Sequence, residues 1–99
     1  MSGQRAVEIT VRGYVQGVGF RWYASREAAN LGITGWVANQ PDGSVALVAE
    51  GSSAAIDALI AALREGPAGA SVASVDVRDR VATGRFGRFE IRSGSHPGD

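Results

Sequence analysis

Residues 7–31 read VEITVRGYVQGVGFRWYASREAANL, and two hydrophobic periods follow one another within them. Val7, Ile9 and Val11 alternate with Glu8, Thr10 and Arg12. That period of two belongs to a strand with one buried face. Gly13 is read as its end, and a glycine-bearing loop runs to Gly19. Phe20, Ala24, Ala28 and Leu31 then recur at helical spacing, with Asn30 and Gly32 as stop signals. The stretch is a strand, a glycine loop and a helix.

Ile33–Gln40 (ITGWVANQ), β-branched and aromatic, reads as a second strand. In Pro41-Asp42-Gly43 the proline presets φ and the glycine accepts positive φ, so the chain turns. Ser44–Glu50 completes a hairpin, with Gly51 expected to break it and Ser52 or Ser53 to cap the next helix. That helix carries one apolar stripe, Ala55, Ile56, Leu59, Ile60 and Leu63, and stops at Glu65-Gly66-Pro67. A fourth strand is expected over Ala70–Ala82, where Val72, Val75, Val77 and Val81 alternate with a phase slip between the first two. A short fifth, Phe86–Arg92, has Phe89 and Ile91 on one face. The order β-α-β-β-α-β plus a terminal strand specifies an α+β, ferredoxin-like sandwich, an antiparallel sheet with two helices on one face. One domain is expected over residues 1–99, with its core at about 6–92 and a frayed tail at 93–99. This fold hosts many functions and names none.

Composition narrows the function. Apolar residues make up 44% of the chain, and ten basic side chains, all Arg, balance ten acidic ones. Bulk attraction to nucleic acid or anionic lipid is therefore not expected, and a bound anion must be held by local geometry. Without cysteine there is no disulfide, thiolate metal site or cysteine nucleophile. The start, Met-Ser-Gly-Gln-Arg, lacks a signal peptide's apolar core, and no stretch approaches the ~18 apolar residues of a membrane span. A cytoplasmic monomer is the expectation.

Glycines 13, 17 and 19 let successive amides converge on an anion, at the start of a helix whose N–H groups and dipole favour negative charge. Arg21 stands at that junction, and its fork can hold two phosphate oxygens. The same features also suit a plain tight turn and a solvated arginine. Asn39 likewise suits a turn former beside Pro41, or a polar group near the loop if the first two strands run side by side or nearly so. His96 falls in the tail, and no His, Cys or carboxylate cluster has metal-ligand spacing. Trp22, Tyr23 and Trp36 are read as core or semi-buried packing before a base-stacking platform. The arginines at 78, 80, 85, 88 and 92, interleaved with Asp79 and Glu90, read as a solvated strand face.

The block Gly13-Tyr-Val-Gln-Gly-Val-Gly-Phe-Arg21, followed by Gly35-Trp-Val-Ala-Asn39 and Asp42-Gly43-Ser44-Val45, resembles the acylphosphatase family. The likeness continues through Glu50-Gly51, the Ile56/Leu59/Leu63 helix, Gly66-Pro67 and Phe89-Glu-Ile-Arg92. It implies hydrolysis of a small acyl phosphate to a carboxylate and inorganic phosphate, with no metal or other cofactor. It further implies a phosphate-binding loop of Val15, Gln16, Gly17, Val18, Gly19 and Phe20, with Arg21 and Asn39 catalytic. The positions of Tyr14 and Ala38 are often basic in the family, so steering of an anionic substrate should be weaker here. Two rival readings stay open: a non-catalytic ferredoxin-like module binding a small anion or RNA, and a phosphate-binding partner of a larger carbamoyl-transfer system.

Overall fold

The computed structural model describes residues 4–93; His96 and the expected tail beyond Ser93 lie outside them. The elements are β1 (Gln4–Tyr14), α1 (Phe20–Asn30), β2 (Thr34–Asn39), β3 (Val45–Ser52), α2 (Ser53–Glu65), β4 (Ser71–Arg80) and β5 (Phe89–Arg92). They form one sheet of order β4-β1-β3-β2-β5. The first four strands pair antiparallel, as expected. β5 instead runs parallel to β2, which makes the sheet mixed.

Both helices pack on the face built by Val7, Ile9, Val11, Val37, Leu47 and Ala49, with Phe20, Ala24, Ala28, Ile56, Leu59 and Leu63 pressed onto it. The strand alternation and the helical stripes thus meet in a single apolar layer. Truncating any one of the large side chains here should cost about 2–5 kcal/mol. Ser52 caps α2 by accepting the Ala55 amide at 3.1 Å, and the Tyr23 hydroxyl donates to the Ala62 carbonyl at 2.9 Å, joining the helices.

The phase slip in the fourth strand has a physical counterpart. Arg12 lies opposite Ser74, but Gly13 lies opposite Val72, so Ala73 is an extra residue accommodated by a bulge. Gly13 therefore does not end β1. It sits at the bulge with φ 131°, where a Cβ would fall 2.2 Å from the Ser71 carbonyl oxygen.

Three further expectations are corrected. Gly51 does not break the third strand; it is buried within β3, opposite Arg5. Val81 is 85% exposed, because the edge strand β4 ends at Arg80, opposite Ala6, and the chain leaves the sheet there. The fifth strand begins at Phe89 and not Phe86. The chain must cross from one edge of the sheet to the other, four strand spacings or about 19 Å, which occupies residues 81–88.

That crossing is pinned halfway by Glu50 on the central strand β3. Its carboxylate, 1% exposed, accepts the Thr83 amide (2.9 Å), the Thr83 hydroxyl (3.0 Å) and the Gly84 amide (2.9 Å). Burial pushes its pKa upward, but these three bonds and the nearby Arg80 outweigh burial and hold it below the ordinary value. The expected solvated arginine face is found in part: Arg80 pairs with Glu8, and Arg88 and Arg92 flank Glu90. Arg85 and Arg88 lie in the crossing, not on a strand.

Candidate active site

The loop between β1 and α1 is fixed at both ends by burial, since Val15 and Phe20 are each 1% exposed. Between them Gly17 and Gly19 take φ of 75° and 78°, the left-handed region that costs glycine little. Gly19 is also the N-cap of α1. No side chain caps the helix and no acidic residue occupies its first turn. Helix N–H groups without a side-chain cap, together with the helix dipole, suit an anion. Arg21, half-buried in that first turn, donates from Nη1 to the Arg92 carbonyl at 3.4 Å.

Asn39 is the last residue of β2 and faces Val45, which in turn faces Val11. The first two strands are therefore not adjacent: β3 lies between them, putting Asn39 about 10 Å across the sheet from β1. Asn39 shares the helix-side face with Val37, and so opens toward the start of α1.

The Gln16 side chain reaches across this gap. Its Nε2 donates to the Gln40 carbonyl at 2.8 Å and to the Ser44 carbonyl at 2.9 Å, using both amide hydrogens. The glycine loop is thereby tied to the β2–β3 turn. The turn is itself stiff. Gln40 donates its amide to Ser44 (2.9 Å), and Asp42 Oδ1 accepts the Ser44 amide (2.9 Å) and hydroxyl (2.6 Å). Those hydroxyl and amide bonds, with Arg12 beyond, hold the Asp42 carboxyl below its ordinary pKa.

A cavity of about 190 Å³ opens where these parts meet. Val15, Gly17, Gly19, Phe20, Arg21 and Asn39, all expected from the sequence, line it. Gln16 and Val18 do not: Gln16 is turned to the hairpin, and Val18 packs against the core. Two lining residues, Trp22 and Ile91, were not foreseen. Trp22, expected to be packed, is 60% exposed. The helical period carried the signal, because position 22 is about 200° around the helix from the buried Phe20. Ile91 reaches the cavity because β5 is parallel to β2, a pairing with no local signature.

The cavity thus gathers a guanidinium, a carboxamide and a glycine-rich backbone at a helix start. Such a set can hold an oxyanion and orient a small polar molecule beside it. Among the described residues no group of three or more His, Cys, Asp or Glu is placed to hold a metal ion. No helix among them is long and apolar enough to cross a membrane. Tyr14 is 63% exposed; Ala38 is buried, with Arg92 beside it in register and the Arg92 guanidinium over the Trp36 ring at 5.2 Å. On the sheet's open face Trp36 lies level with Val48 and Glu8, six residues along β1 from Tyr14, so the two aromatic strand residues there do not stand side by side as in an RNA-binding sheet.

The chain is 49% identical to an acylphosphatase of Methylococcus capsulatus, over 88% of this chain and 95% of that one. The structure of an acylphosphatase from Coxiella burnetii superposes with a TM-score of 0.86 at 38% identity, covering 90% of this chain and 93% of that one. Full-length HypF, in its phosphate- and nucleotide-bound form, matches with a TM-score of 0.86 at 27% identity over 95% of this chain, but only 12% of its own. The acylphosphatase family model matches residues 7–91. With the family model matched over residues 7–91 and a relative of that name 49% identical over 88% of this chain, the chain belongs to the acylphosphatase family.

Proposed function

We propose that this chain hydrolyses acyl phosphates without a metal, using Arg21 to hold the phosphoryl group and Asn39 to place the attacking water. The observation that carries the reading is the single cavity holding Arg21, Asn39 and the glycine loop at the start of α1. The leaving group is a carboxylate, so departure needs no strong general acid, and phosphoryl transfer depends mostly on placement and charge stabilisation. The amides of residues 16–20 and the Arg21 guanidinium hold the phosphoryl oxygens as charge redistributes. Asn39 hydrogen-bonds the water and aligns it opposite the leaving group. The water oxygen bonds to phosphorus, the bond from phosphorus to the acyl oxygen breaks, and the carboxylate leaves with that electron pair. Asn is no base at neutral pH, so the water's proton passes to a phosphoryl oxygen.

The test is hydrolysis of acetyl phosphate by wild type, Arg21→Ala and Asn39→Ala, with a chelator throughout. Turnover by wild type that is lost in both variants supports the reading. A folded wild type with no rate above background sinks it. We carry the single-domain, monomeric and cytoplasmic assignments as part of the same proposal. Light scattering of the purified chain checks the oligomeric state, and titration with a labelled oligonucleotide, expected to show no binding, checks for a nucleic-acid partner.

A further inference from the structure

The cavity has a wall that phosphate alone does not need. Only four large apolar side chains among the described residues are exposed, and two of them, Trp22 (60%) and Ile91 (46%), line this cavity. They come from separate elements, the first turn of α1 and the parallel edge strand β5, and converge beside Arg21 and Asn39. The indole is also held. Arg26, one turn further along α1, lies with its guanidinium 4.8 Å from the Trp22 ring centroid. An aromatic side chain kept in place at the mouth of an anion site suits a substrate with one charged end and one apolar end.

We infer that Trp22 and Ile91 form the acyl subsite, selecting acyl phosphates whose acyl group is aromatic or bulky and apolar. The inference rests on the phosphate-binding reading above and adds the substrate class to it. With the phosphoryl group on the loop and Arg21, the acyl group projects from the cavity floor toward this wall. Contact there raises kcat/KM wherever it persists into the transition state. A two-carbon acyl group offers the indole little surface.

The experiment measures kcat/KM for benzoyl phosphate and acetyl phosphate with wild type, Trp22→Ala, Trp22→Phe and Ile91→Ala. Benzoate and acetate leave with different intrinsic ease, so the readout is the change in the ratio of the two values on mutation. Trp22→Ala is expected to lower that ratio about tenfold, mostly through benzoyl phosphate, and Ile91→Ala about threefold. Trp22→Phe should keep most of the wild-type ratio. An unchanged ratio in both alanine variants overturns the subsite while leaving acyl phosphate hydrolysis standing. A wild type that hydrolyses neither compound overturns the phosphate reading and the subsite with it.

Discussion

The two ends of β3 solve the same problem with different anions. At the Glu50 end, the amides of Thr83 and Gly84 are closed off by a carboxylate that belongs to the chain. At the Val45 end, about 17 Å away along the strand, the loop of residues 15–20 presents its glycines, the uncapped start of α1 and Arg21 to a cavity. There the anion is assigned to the substrate. Each end needs a tie across the sheet. Glu50 makes one with its charge, whereas Gln16 makes one with a neutral amide donating to two carbonyls. A built-in anion yields a fixed structure; a site for a visiting anion must be held by groups that do not compete with it.

That contrast can be broken from either end. The largest effect is expected from Arg21→Ala, which removes the cation from the cavity: kcat/KM should fall about a thousandfold, and inhibition by inorganic phosphate should disappear with it. Asn39→Ala should lower kcat at least about a hundredfold while leaving the phosphate inhibition constant within about twofold. A large change in that constant would refute the water-placing role. Gln16→Ala cuts the tie and leaves two half-buried carbonyls to water. About a tenfold loss in kcat/KM is expected, because small misplacements of a catalytic group are costly; wild-type kinetics would show that the hairpin holds Asn39 without it.

Glu50→Gln should move activity least and stability most. Trading the carboxylate for an amide at three donors should cost about 1–3 kcal/mol, read by denaturant unfolding, with kcat near that of wild type. The sign of its pH dependence is fixed by the lowered pKa. The folded carboxylate binds its proton less readily than the unfolded one. Its contribution is therefore fully present above the ordinary glutamate value of 4.5 and is lost as pH falls through the lower folded value. Stability measured downward from pH 5 should decline less steeply in Glu50→Gln than in wild type; parallel declines would place the acid sensitivity elsewhere.

Much of this was legible in the residues. The two periods in residues 7–31, the Pro-Asp-Gly turn and the Ile56–Leu63 stripe give the element order, because each records which face of a local element is buried. Even the bulge at Ala73 is written as a slip between Val72 and Val75. What misled were residues whose local character ran against their setting. Gly51 looks like a breaker but lies buried in the central strand, where pairing with Arg5 of β1 carries the ladder past it to Ser52. Val81 continues the alternation past Arg80, where β4 stops pairing with β1 and the chain leaves the sheet.

The site divides the same way. Arg21 and Asn39, 18 positions apart in the chain, could each be singled out because glycine loops, helix starts and turns are local signals. Their meeting depends on strand order, on the Gln16 amide reaching past β3, and on nothing that either segment encodes alone. Trp22 and Ile91 go further, since one joins the cavity by its angle around a helix and the other by the direction of β5. The sequence by itself determined the elements, their buried faces and the loop fit for an anion, since these follow from contacts among near neighbours. Only the tertiary structure decided the parallel edge strand, the Glu50 anchor and the apolar wall, since these depend on pairings between residues far apart in the chain.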